Sequence, residues 1–171
     1  LGVRLVDDAA ALAKEAGKLV TVDPSPRNPL RWSGATLVKP NRIEAHATLA
    51  EVLQHGNNDA AALAEWSIAI TAIPKNAYWR YRYGSLLLEK GKSAEAAGHL
   101  TFALTEGGLQ APRPGWLYQA AFAAAEAQRK TGKKAEAIES YKRFLELSPS
   151  SSPDRADAIR ALKQLGGPVP E

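Results

Sequence analysis

The stretch from Ala77 to Glu106, AYWRYRYGSLLLEKGKSAEAAGHLTFALTE, constrains the fold more than any other part of the chain. At a helical period it divides into two apolar-striped segments interrupted at Lys90-Gly91-Lys92. The first carries Tyr83, Gly84 and Leu87; the second carries Ala96, Leu100, Ala103 and Leu104. Small side chains at Gly84, Ala96 and Ala103 let two helix backbones approach closely, and the large ones a turn away fill the grooves between them. The pattern predicts a helix, a tight turn and an antiparallel helix, with Gly84 and Ala96 at the contact.

The pattern recurs. A shift of 34 residues toward the N-terminus pairs Leu49 with Tyr83, Ala50 with Gly84, Leu53 with Leu87, Ala62 with Ala96, Trp66 with Leu100, Ala69 with Ala103 and Ile70 with Leu104. A shift of 41 toward the C-terminus pairs Gly91 with Gly132, Ala96 with Ala137, Leu100 with Tyr141 and Leu104 with Leu145. The seven extra residues are placed in the loop GGLQAPRPG, 107–115. Pro74 and Pro149 close the outer units. Small and large residues held in register over about 34 positions resemble the tetratricopeptide repeat. The resemblance implies an all-α fold: an antiparallel helix-pair solenoid wound as a right-handed superhelix. It places three repeats at about 42–75, 76–109 and 115–149, followed by a capping helix over 153–165 whose outer face carries Arg155, Asp157, Arg160 and Lys163. Expected caps are Asn41 with Glu44, Asp59, Asn76 and Ser93, with Pro153 in the first turn of the last helix and a stop at Gly166-Gly167.

Residues 1–23 read as a helix over 3–20 with the stripe Leu5, Ala9, Leu12, Ala16 and Leu19. It is either the remainder of a truncated repeat closing at Pro24 or a lone helix covering the edge of the first full repeat. Residues 24–41 hold four prolines, which forbid a continuous helix and favour an extended proline-rich connector. Leu30, Trp32, Leu37 and Val38 are costly to leave in water. The segment is therefore expected to lie extended against the helical array, without regular backbone hydrogen bonding and with Trp32 buried beside the first full repeat. The P-x-x-P spacing at Pro26 and Pro29 is a connector feature in this reading.

Composition sets the functional classes aside one by one. The 171 residues are 45% hydrophobic and 23% charged, enough for one domain with a continuous core. The net charge is +4, and the basic residues are scattered among acids without forming a stripe, so nucleic acid is not expected as a partner despite four tryptophans. No cysteine is present, which excludes disulfides and thiolate metal sites. No apolar run reaches the roughly 20 residues of a membrane span, so no membrane insertion is expected. LGVRLVDD acquires charge too early for a signal peptide. The absence of methionine, even at position 1, suggests a piece of a longer protein, and the alanine-rich composition is associated with a bacterial source. The compartment, cytoplasmic or periplasmic, is left open.

Catalysis has no constellation to rest on. His46, His55 and His99 form no i, i+4 pair, and no nucleophile motif or phosphate-cradling glycine loop is present. No enzyme activity, cofactor or metal is expected. Binding follows from the resemblance, which implies that the first helix of each repeat lines a concave groove for a segment of a partner protein. In this chain those positions are Glu44, Ala47, Glu51 and His55; then Tyr78, Tyr81, Arg82, Ser85 and Glu89; then Gln119, Phe122, Glu126, Arg129 and Lys130. Tyr78 and Tyr81 lie off the stripe of Tyr83, Gly84 and Leu87. They are either exposed binding aromatics beside an arginine or rings packed on a neighbouring repeat. A clamp of lysines and asparagines for a terminal carboxylate is missing, since Ala47, Glu51, Tyr81 and Ser85 occupy its places. The expected function is a non-catalytic adaptor or scaffold for a protein or peptide partner. The alternative is a structural module that docks other domains of its own polypeptide or self-associates.

Overall fold

The structure, a computed structural model, describes residues 21–22, 37–38 and 42–169. The helix expected over 3–20, the cap at Asn41 and the placement of Leu30 and Trp32 lie outside the described residues. Thr21–Val22 (β1) and Leu37–Val38 (β2) pair in parallel, Thr21 opposite Leu37 and Val22 opposite Val38. The expectation that the 24–41 segment lacks regular pairing therefore fails at Leu37–Val38. Aliphatic and β-branched residues there meet a second extended stretch of the same kind.

Seven helices follow among the described residues. They are α1 (Arg42–His55), α2 (Asp59–Ala72), α3 (Ala77–Glu89), α4 (Ser93–Gly108), α5 (Leu117–Lys130), α6 (Lys134–Leu147) and α7 (Arg155–Leu165). Each packs most extensively on its neighbour in sequence, which makes an all-α helical-repeat solenoid. α3 also touches α5, whereas α1 and α3, α2 and α4, and α4 and α6 are not in comparable contact. α1, α3 and α5 form an inner row joined by side-chain contacts, Glu51 with Arg82 and Tyr81 with Trp116, and α2, α4 and α6 form the outer row.

The turns inside the pairs share one construction. Gly91 and Gly132 adopt φ of +77° and +76°, a left-handed conformation that glycine enters without a Cβ penalty. Lys92 N then bonds Leu87 O at 2.9 Å and Lys133 N bonds Gln128 O at 2.9 Å, satisfying carbonyls that the helix ends leave open. Asn57 (φ +57°) takes the same position in the first pair, with Asn58 N on Leu53 O at 2.8 Å. Asn58, not Asp59, caps α2, its side chain accepting from Ala61 N. Asn76 caps α3 through Trp79 N at 3.0 Å, as expected from the sequence. Lys92 precedes α4, so Ser93 is already helical and caps nothing with its side chain. Pro153 sits one residue before the Asp154 cap position of α7, outside the first turn.

The core runs through all the pairs, with Trp66, Leu86, Leu87, Leu100, Leu117, Tyr141, Phe144 and Leu162 fully buried. Gly84 is where two backbones meet: a Cβ there would stand 2.8 Å from Leu100 Cγ and 3.2 Å from His99 Cβ. Ala96 is fully buried opposite it, as the register requires. Leu49 departs from the register. Its counterpart Tyr83 is buried between α3 and its neighbours, but Leu49 is 44% exposed. α4 also runs on through Gly107 and Gly108, which the repeat alignment assigns to the loop. Gly107 is buried against Trp116 and Leu117, so its missing side chain lets α5 close onto the end of α4.

Two polar devices tie the layers. The Gln128 amide, buried in α5, accepts from Thr101 Oγ1 at 3.1 Å and donates to Ser140 Oγ at 2.8 Å, joining α4, α5 and α6. Arg155 Nη1 donates to Leu145 O at 2.7 Å and to Ser148 Oγ at 2.8 Å, fastening α7 to the C-terminal end of α6, where the helix dipole favours a cation.

Between α3 and α4, Arg80 Nη1 donates to Nδ1 of His99 at 3.1 Å, and the His99 ring meets Tyr83 edge-on at 4.8 Å. Burial and then the Arg80 charge push the His99 pKa below its ordinary value, with Glu95 opposing. The unfolded chain therefore takes up this proton more readily than the folded one. Stability should decline as pH falls through about 6.5 and level off below the depressed folded value. A thermal-melting series across this range should show the Tm dropping on the acid side, and His99→Gln should flatten part of that slope. An unchanged slope in the variant would remove His99 from the account.

Candidate functional site

The residues expected to line a groove all fall on α1, α3 and α5, the inner row, and much of their chemistry is spent on one another. The Glu51 carboxylate on α1 accepts from Arg82 Nη1 at 2.8 Å and from the Tyr78 hydroxyl at 3.1 Å, both from α3. Arg82 also donates to Tyr78 Oη at 2.9 Å, and its guanidinium lies 5.8 Å from the ring centroids of Trp66 and Tyr78. Gln54 accepts from Trp66 Nε1 at 3.0 Å, tying the buried indole to the same cluster. His55 is exposed, its Nδ1 2.7 Å from Glu51 O.

Tyr78 and Tyr81 take up the second of their two expected roles, as rings packed on the neighbouring repeat. Both are half-buried and pack on the core. Tyr81 stacks on Trp116 at 5.4 Å with planes 9° apart, and Tyr78 lies 5.9 Å from the same indole. Burial raises the Tyr81 pKa, so the phenol stays neutral. Ser85 continues this face, its hydroxyl shielded from solvent beside the Tyr81 phenol. Glu89 is exposed.

On α5, Phe122 is half-buried against Tyr141 and Phe144 at 6.1 and 5.1 Å. Glu126 accepts from Arg129 Nη2 at 2.8 Å and from the Tyr141 hydroxyl. Burial alone would push Glu126 upward, but the hydrogen bonds from Arg129 and Tyr141 outweigh it and hold the carboxyl below its usual range. Burial, followed by the hydrogen bond to Glu126, raises Tyr141. α7 faces this stretch: Phe122, Glu126 and Arg129 look across a depression of about 310 Å³ to Asp157, Arg160 and Gln164. Gln119 and Lys130 are exposed, and Glu44 is half-buried. Ala47 is 6% exposed and belongs to the core, so it offers a partner almost no side-chain surface. A small residue on this face suits a close helix contact as well as a groove lining, and the contact is what it serves.

Trp116 and Gln54 carry no signal in the repeat pattern. Trp116 precedes α5 just after the inserted residues, and its counterpart under the 41-residue shift is Lys75, which is not a packing position of the repeat. Gln54 is recognisable only once Trp66 Nε1 is seen to need an acceptor. No group of histidines and carboxylates suited to a metal exists among the described residues. His46 instead pairs with Glu65 across α1 and α2. No described helix is long and apolar enough to cross a membrane.

No family model matches the chain. The bifunctional protein HldE of Caulobacter vibrioides is 48% identical over 60 residues, 34% of this chain. HldE of a second Caulobacter strain is 49% identical over 57 residues, 33% of this chain. The chain spans only 12% of the length of each of these relatives. Among solved structures, the N-terminal domain of stress-induced protein-1 from C. elegans superposes with a TM-score of 0.57 at 18% identity, covering 72% of this chain and 94% of that one. Two crystal structures of MamA give TM-scores of 0.61 and 0.62 at 13% and 16% identity. They cover 72% and 74% of this chain, and 64% and 70% of theirs. At such identities the likeness is one of fold.

Proposed function

The fold being that of tetratricopeptide-repeat proteins, we propose that this chain is a non-catalytic adaptor that binds an extended or helical segment of a partner protein along the inner row of α1, α3 and α5. The observation that carries the reading is the ladder of half-buried aromatics there: Tyr78, Tyr81, Trp116 and Phe122. Charge clusters flank it, Glu51–Arg82 at one end and Glu126–Arg129 at the other. Rigid rings beside arginines are the usual material of binding hot spots, and they lose little entropy on contact because packing already fixes them. The 12% share of the HldE proteins is too small to bring either relative's activities to this chain.

The test is a peptide selected from a displayed random library against the 171-residue chain. Tyr81→Ala and Arg82→Ala should each weaken it more than tenfold, about 1.4 kcal/mol. Thr105→Ala, an exposed position on the outer helix α4, should not. Because both inner-row residues also pack, melting curves accompany the titrations. Lost binding by a variant that has lost its fold at the assay temperature does not count. Equal affinity of Tyr81→Ala, Arg82→Ala and wild type would overturn the reading.

A second reading, a module that docks further protein or a second copy, is favoured at one place. Leu49 and Val52 are 44% and 60% exposed on the side of α1 where α3 has a preceding helix to pack on. Sedimentation mass across concentrations separates the two: self-association through this edge should vanish in Leu49→Asp/Val52→Asp.

A further inference from the structure

Away from the inner row, the outer helices α4 and α6 stand apart, and the loop that precedes α5 walls the gap between them. The result is a depression of about 390 Å³. It continues into a second of about 420 Å³ that shares Arg113, Glu146 and Leu147 with it. We propose that this gap is a second binding site, taking an oxyanion, a carboxylate or phosphate, borne on a side chain of a protein partner.

Two arginines define it. Arg143 on α6 is half-buried, and its guanidinium lies over Gly108 on α4, with Nη2 filling the place where a Cβ on that glycine would stand. It makes no hydrogen bond or ion pair among the described residues. Arg113, exposed on the inserted loop, lines the same depression and is likewise unpaired there. A guanidinium carries five donors in a planar fork that fits the two oxygens of a carboxylate or phosphate. The other cation lining the depression is spent: Lys142 pairs with Glu139 at 2.8 Å. Elsewhere in the array half-buried arginines are engaged, Arg82 with Glu51 and Arg155 with the end of α6. Arg143 is the exception, and its donors face an open depression instead of an acceptor.

The inserted loop is what makes this gap differ from the corresponding one between α2 and α4, since it supplies Arg113 and one wall. Gly108 keeps the floor low enough for the Arg143 guanidinium to lie across it. Glu146, exposed and unpaired among the described residues, also lines the depression. It leaves one net positive charge from the three unpaired groups, and it opposes an anion. Removing the Glu146 charge should therefore improve binding, which a merely structural role for the arginines does not predict.

The experiment is an NMR titration of the whole chain, observing the Gly108 amide and the arginine Nε–H signals. The probes are inorganic phosphate and two peptides of one sequence, carrying phosphoserine or glutamate at one position. Saturable shifts at Gly108 and Arg143 are expected. Arg143→Gln and Arg113→Gln should each weaken binding roughly fivefold or more, and Glu146→Gln should strengthen it about twofold or more. Tighter binding of the phosphoserine peptide would assign the site to phosphate, and equal binding of the two peptides to carboxylate. Absence of saturable shifts at Gly108, or shifts indifferent to both arginine variants and to Glu146→Gln, would overturn the proposal. The inner row shares none of these residues, so failure here leaves the adaptor reading untouched.

Discussion

Trp66→Ala is expected to destabilise the chain by about 3–5 kcal/mol, the range for deleting a large buried aromatic side chain. Trp66 is fully buried between α1, α2 and α3. Its loss would remove the packing surface, take from Gln54 the indole donor at 3.0 Å, and take away the ring beneath Arg82. Apart from the contact of α3 with α5, the described helices pack chiefly on their neighbours in sequence, so the damage should stay local. Hydrogen exchange should show protection lost first across α1 and α2 while α5, α6 and α7 keep theirs. Urea denaturation gives the total. A midpoint equal to that of wild type, or uniform loss of protection over all seven helices, would mean that the first pair is not packed as described.

Two glycines on the same helix pair should respond with opposite sign. Gly84→Val drives a branched side chain into Leu100 and His99 and should lower stability by about 1–3 kcal/mol through overpacking. Ala96→Leu, at a fully buried position, belongs to the same class and range. Gly98 on α4 faces open space, with nothing within 4 Å of where a Cβ would stand. Gly98→Ala therefore gains only the backbone preference and should stabilise by roughly 0.5–1 kcal/mol. Paired thermal melts of Gly84→Val and Gly98→Ala check both. If Gly84→Val melted at or above the wild-type temperature, the close approach of α3 and α4 would be wrong.

These two glycines also show how far sequence alone reaches. Gly84 and Gly98 are the same residue in adjoining helices, yet only Gly84 falls on the small-residue stripe that recurs at Ala50. The repeat pattern therefore identifies the contact without any knowledge of packing. It identifies Ala96, Leu100 and Leu104 in the same way, and it puts turns at Gly91 and Gly132, because a repeated fold must reproduce its close contacts and its left-handed residues at a fixed period. It places Leu49 in the core as well, and fails there. A register states which face a residue occupies, and burial also needs a neighbour on that face.

The residues expected to line a groove divide along the same line. The resemblance to the repeat family implies that Glu51, Tyr78, Arg82, Phe122, Glu126 and Arg129 lie on one side of the array, and spacing along α1, α3 and α5 then assigns each its helix face. Their partners depend on which helices come together. That Glu51 holds Arg82 and Tyr78, that Glu126 holds Tyr141 as well as Arg129, and that Tyr81 stacks on Trp116 are contacts that reach across the array. The gap walled by Arg113 and floored by Gly108 is of the same kind, for it brings together residues of α4, α6 and the inserted loop. Local spacing determined the helices, their turns and the faces they present. Only the tertiary structure decided which charges are paired, which rings are covered and which arginines still face solvent, because those depend on distances across helices that no single stretch of sequence contains.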